Sequence, residues 1–149
     1  MSGKKIIKLF LFALAASLLF YGYGYYEKSK TVAGLEGKIK MGRYQDALSM
    51  IQQLENSLTF KILKIVEKED RVISYNKGVL YALMENRKKA GAEYRKAMET
   101  KDPVLKARAI YNNANILATD MDFSTAALQY AEVLKIDAKD LAAMNFGNS

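Results

Sequence analysis

Cysteine, histidine and tryptophan are absent, and a single proline stands in 149 residues. Without cysteine there is no disulfide framework, no thiolate nucleophile, no thiolate-bound zinc and no iron–sulfur cluster. Without histidine there is no Ser-His-Asp or Cys-His relay and no imidazole-bound metal. One proline and nine glycines also leave too little punctuation for an all-β domain. What remains is half hydrophobic, the composition of a folded chain about one domain long. It points away from an enzyme, and no metal or cofactor is expected.

Acidic residues are outnumbered, 16 against 23 Lys and Arg, for a net charge of +7. The first 26 residues hold Lys4, Lys5 and Lys8 and no acid, so +4 is left for the rest. That excess describes a solvated surface with a mild preference for anionic partners. A nucleic-acid face would cluster its basic side chains, and none is expected.

Leu9 to Tyr26, LFLFALAASLLFYGYGYY, is 18 residues without a charge, and from Ile6 the run is 21 residues interrupted only by Lys8. As a helix it measures about 27–31 Å, one hydrocarbon core. Leu9, Phe10, Leu11, Phe12, Leu14, Leu18, Leu19 and Phe20 would meet lipid, and Tyr21, Tyr23 and Tyr25 would sit at the water boundary. A cleaved signal peptide is the competing reading, but no A-x-A-like site follows, since Ala13, Ala15 and Ala16 lie inside the run. A buried core helix apolar on every face would need a larger domain around it. Residues 1–27 are therefore expected to be a tail and single-pass anchor, with lipid contacts over 6–26, and 28–149 a separate domain. The lysine-bearing tail favours an inner end, which sends the remainder outward. Lys28, Lys30, Lys38, Lys40 and Arg43 beyond the run weaken that count.

Past the anchor the sequence repeats. RVISYNKGVLYALMENRKKAGAEYRKAMETKD, from Arg71, aligns with ARAIYNNANILATDMDFSTAALQYAEVLKIDAKD, from Ala107. Both carry Tyr-Asn, a small residue two positions on (Gly78, Ala114), another 12 further (Ala90, Ala126) and then a Tyr (Tyr94, Tyr130), at an offset of 36 residues. KMGRYQDALSMIQQLE, from Lys40, is a weaker copy with Gly42 at a helix end and Ala47 in the small position; its first helix would be Ser29–Met41, continuing out of the anchor. The stretch Ser57–Asp70 is expected to extend its second helix, with a short strand as the alternative. AAMNFGNS reads as the start of a fourth unit.

The pattern resembles the tetratricopeptide repeat, a helix–turn–helix unit of about 34 residues. The phrase KDPVLKARAIYNNAN is similar to membrane-anchored bacterial repeat proteins found with MoxR-type ATPases and von Willebrand A-domain proteins, and the architecture equally resembles YfgM-like proteins, which pair a short inner tail and one anchor with extracytoplasmic repeats. The resemblance implies an all-α fold, one transmembrane helix followed by an α-solenoid of about three helical hairpins. It places the small contact residues at Gly78, Ala90 and Ala97, then at Ala114, Ala126 and Val133, the last an unusually large one that should splay its hairpin. It also implies a concave groove that takes a protein partner, carried over onto Val72, Tyr75, Asn76, Val79 and Leu83, and onto Arg108, Tyr111, Asn112, Asn115 and Thr119. The same Tyr-Asn pairs are equally suited to packing adjacent repeats. Tyr75 and Tyr111 stand where a basic residue would be needed to clamp a C-terminal carboxylate.

Glu67–Asp70 and the Asp120/Asp122 pair read as solvated acids, since neither has the spacing of a calcium loop. Arg87, Lys88 and Lys89 read as a water-facing helix start. The resulting expectation is a bacterial inner-membrane scaffold with extracytoplasmic repeats and homo- or hetero-oligomeric partners. These would dock in the groove or on an uncovered repeat end at Ala142, Ala143, Met144 and Phe146. The alternative is a small accessory subunit held in a larger membrane complex through its helix.

Overall fold

A single helix, α1 (Gly3–Lys40), carries the apolar run and the segment after it without interruption. The computed structural model describes residues 3–67 and 71–136, with side chains at 5–64 and 71–136. Over the described residues the chain is all-helical, and it divides into two compact units, 1–68 and 69–149.

In the first unit a turn at Met41–Arg43 sends α2 (Tyr44–Asn56) back along α1. A Cβ placed on Gly34 would lie 2.8 Å from Met50 Cε, and one on Gly24 would lie 3.2 Å from the Thr59 carbonyl oxygen, so the chain retraces α1 toward the apolar run. Leu35, Ala47, Leu48, Ile51, Leu54, Phe60 and Leu63 form the core. The expected extension of α2 through residue 70 is replaced by a break. Ser57 leaves the helix at ψ 144° and its hydroxyl accepts from the Phe60 amide at 3.2 Å. That is an N-cap, and it starts a separate helix, α3 (Leu58–Glu67).

The second unit comprises α4 (Arg71–Leu83), α5 (Arg87–Met98), α6 (Pro103–Thr119) and α7 (Phe123–Lys135). Pro103 opens α6, where a missing N–H costs nothing, and the Asp102 carboxylate accepts from the amides of Val104 and Leu105. Ile73, Leu80, Ile110 and Tyr94 fill the interior around buried Ala90, Ala97, Ala114 and Ala126. Each small position named from the sequence is buried. Val133 packs with Ala107 and Ile110.

Three helix ends close with one device. Gly42 (φ 69°), Glu85 (φ 58°) and Met121 (φ 63°) are left-handed. Each amide bonds the carbonyl three residues back (Ile39, Ala82, Ala118), and the next amide bonds the carbonyl five back (Lys38, Tyr81, Leu117). This pair of hydrogen bonds satisfies carbonyls that helix termination would orphan. The buried alanine of each following helix, Ala47, Ala90 or Ala126, comes five residues later.

Candidate functional site

The Tyr-Asn positions of α4 and α6 form two linked layers. The Tyr75 and Tyr94 rings lie 6.0 Å apart at 52°, and the Tyr111 and Tyr130 rings 5.7 Å apart at 58°. Such tilted pairs exceed the value of their buried area by about 0.5–1.5 kcal/mol. The hydroxyls are then fixed by asparagines: Asn112 Nδ2 donates to Tyr75 Oη at 3.2 Å, and Tyr130 Oη donates to Asn115 Oδ1 at 2.6 Å. Burial pushes the Tyr94 phenol well above its ordinary range; neighbouring Tyr75 adds to this, and a hydrogen bond from Asn112 offsets it in part.

Asn76 turns back on its own helix, Nδ2 donating to the Val72 carbonyl at 2.9 Å. Four of the nominated side chains, Tyr75, Asn76, Asn112 and Asn115, therefore have hydrogen-bond partners inside the protein. Exposed to solvent are Leu83, Arg108, Tyr111 and Asn115, with Tyr111 at 49%. Val79 is half-buried.

A recess of about 280 Å³ gathers Val72, Tyr75 and Asn76 of α4 with Val104, Leu105 and Arg108 of α6, and Asp102 at its rim. Val79, Leu83, Tyr111, Asn112 and Asn115 do not line it. Asp102, Val104 and Leu105 were not foreseen; the Asp-Pro start of α6 was the available signal, since a cap places the first turn of a helix at a predictable point. A further unforeseen residue is Asn113, 2% exposed. Its Nδ2 donates to Gln129 Oε1 at 2.9 Å, while no hydrogen bond reaches its Oδ1.

The anchor residues lie along α1 with their side chains outward, from Leu9 at 64% exposure to Leu19 at 76%. The helix is long and apolar enough to cross a membrane. At the end of the apolar run, midway along α1, the tyrosines pair: Tyr21 with Tyr25 at 6.3 Å and Tyr23 with Tyr26 at 6.4 Å. Lys28 Nζ stands 5.4 Å from the Tyr25 ring.

Several charged side chains elsewhere have structural partners. Arg87 pairs with Asp120 at 2.8 Å, Lys89 covers the Tyr81 ring, and Asp122 caps α7 through the Thr125 amide. Hydrogen bonds from Thr125, by side chain and then backbone, hold the Asp122 carboxyl below its usual value. Glu93, nearly buried, sits between Lys96 at 2.7 Å and Lys77 at 3.8 Å. Among the described residues no group of three acidic side chains converges as a metal site. The proposed docking end at Ala142, Ala143, Met144 and Phe146, the fourth unit, and the acids of 67–70 lie outside the described side chains. No family model, curated protein or solved structure matches the chain.

Proposed function

We propose that the chain is a membrane-anchored scaffold similar to tetratricopeptide-repeat proteins, in which α4–α7 hold an extended segment of a protein partner. The observation that carries this reading is the geometric recurrence at an offset of 36 residues. Tyr75/Tyr94 becomes Tyr111/Tyr130, buried Gly78 becomes Ala114, and the left-handed turn at Glu85 becomes Met121. A unit repeated with its turn, its cap and its small contact residue is built to stack, and stacked hairpins offer an elongated surface. Arg108 and Tyr111 are the exposed side chains best suited to a peptide: a fixed fork of donors, and rigid apolar area at low entropic cost.

The anchor would hold this surface at a bacterial inner membrane, with the repeats on the extracytoplasmic side set by the short lysine-bearing tail. The test is affinity isolation from native membranes, comparing wild type with Arg108→Glu and with Tyr111→Ala. Specific loss of the same partner in both variants supports the groove; an unchanged set of partners removes it.

A second reading, an accessory subunit held through its transmembrane helix, is favoured by the outward apolar side chains of α1. Replacing Leu9–Tyr26 with an unrelated span separates the two. The scaffold keeps its partners after the swap, whereas the accessory subunit loses them.

A further inference from the structure

We infer that α3 is a second membrane-contacting element, its outer flank of Leu58 and Ile62, beside Lys61 and Lys64, seated in the headgroup boundary of an anionic bilayer. The inference rests on Leu9–Tyr26 crossing that bilayer.

Depth comes first. The backbone at Thr59 meets α1 at Gly24, where a Cβ would come within 3.2 Å of the Thr59 carbonyl oxygen, and the Thr59 hydroxyl donates to the Glu27 carboxylate. Gly24 and Glu27 straddle the end of the charge-free run. The start of α3 is thereby held where hydrocarbon gives way to headgroups, at the level of Tyr23, Tyr25 and Tyr26. Packed helices lie about 8–10 Å apart, so a helix beside α1 at that level has lipid as its neighbour.

The amphipathic pattern agrees. Phe60 and Leu63, at 2% and 1% exposure, fill the core, whereas Leu58 and Ile62, one turn apart, are 67% and 39% exposed. No described segment of the first unit covers them. Lys61 and Lys64 are also exposed. Lysine stems lie along apolar surface while their ammonium groups reach phosphate, and anionic lipid attracts them. An apolar edge flanked by lysines, fixed at interfacial depth, fits a lipid surface better than bulk water.

The absence of cysteine makes the test direct. Leu58→Cys, Ile62→Cys, Leu14→Cys and Gln52→Cys variants of the full chain are spin-labelled and reconstituted in phosphatidylcholine vesicles with and without phosphatidylglycerol. Labels at positions 58 and 62 should collide more with oxygen than with a water-soluble nickel chelate, and more so with phosphatidylglycerol present; the label at 52 should show the reverse. Labels at 58 and 62 that favour the chelate overturn the inference. Shielding from both reagents overturns it too, in favour of a protein neighbour or a second copy. The label at 14 reports separately on the anchor: if it favours oxygen while those at 58 and 62 do not, the anchor reading stands and only the role of α3 falls.

Discussion

Gly78 lies against the ring of Tyr94: a Cβ on the glycine would come within 2.6 Å of both Cδ1 and Cε1. The glycine thus sets how closely α4 and α5 approach, and the aromatic fills the space that its missing side chain leaves.

Gly78→Ala should therefore destabilise the second unit. Ring atoms of a packed tyrosine cannot yield as a flexible tip does, and overpacking of this kind costs about 1–3 kcal/mol, against about 1 kcal/mol gained from helix propensity. Gly37→Ala is the counterpart. Nothing lies within 4 Å of its Cβ position in α1, so it should stabilise by about 0.5–1 kcal/mol. Chemical unfolding in detergent, followed by circular dichroism, reads both signs.

The three left-handed turns predict opposite responses to glycine. Gly42→Ala places a Cβ at φ 69° and should cost about 1 kcal/mol. Glu85→Gly and Met121→Gly relieve the same strain, less the greater freedom of glycine in the unfolded chain, and should stabilise by a few tenths of a kcal/mol. Midpoints of thermal melts would order the four proteins.

Asn86 caps α5 by accepting from the Lys89 amide at 3.2 Å, and Asp122 takes the matching place on α7. Asn86→Ala should cost about 1 kcal/mol, whereas Asn86→Asp should be nearly neutral because the carboxylate reaches the same amide. Amide hydrogen exchange at the start of α5 would localise the loss in the alanine variant.

Tyr94 predicts sensitivity to alkali. Its phenol is held protonated in the folded chain well past the ordinary value, while the unfolded chain releases that proton near pH 10. Above that pH the folded state binds more protons than the unfolded one, so stability falls as pH rises; below it the contribution is complete. Tyr94→Phe should flatten this decline above about pH 10. Urea midpoints measured from pH 8 to pH 11 would reveal a steeper slope in the wild type.

Much of this architecture was legible because small residues recur with bulky ones at fixed spacing. Gly78, Ala90, Ala114 and Ala126 announced close helix contacts, and Leu9–Tyr26 announced an exposed apolar helix. Gly42 gave its turn away, and Asp120 and Asp122 marked a turn between α6 and α7, but the left-handed backbone at Glu85 and Met121 falls on residues with no such preference and shows only in the structure. The break at Ser57 was missed because the hydrophobic pattern runs through it, while its cue was a single hydroxyl. The nominated groove residues were the hardest to read. Side-chain type identified Asn76, Asn112 and Asn115 as hydrogen-bonding groups, yet only geometry reveals that each is engaged within the protein.

The unbroken course of α1 has a mechanical consequence. Its 38 residues form a rod about 57 Å long whose far end closes directly into the Gly42 turn. If the apolar run spans a bilayer as proposed, a lean of this continuous helix would carry α2 with it rather than being absorbed midway.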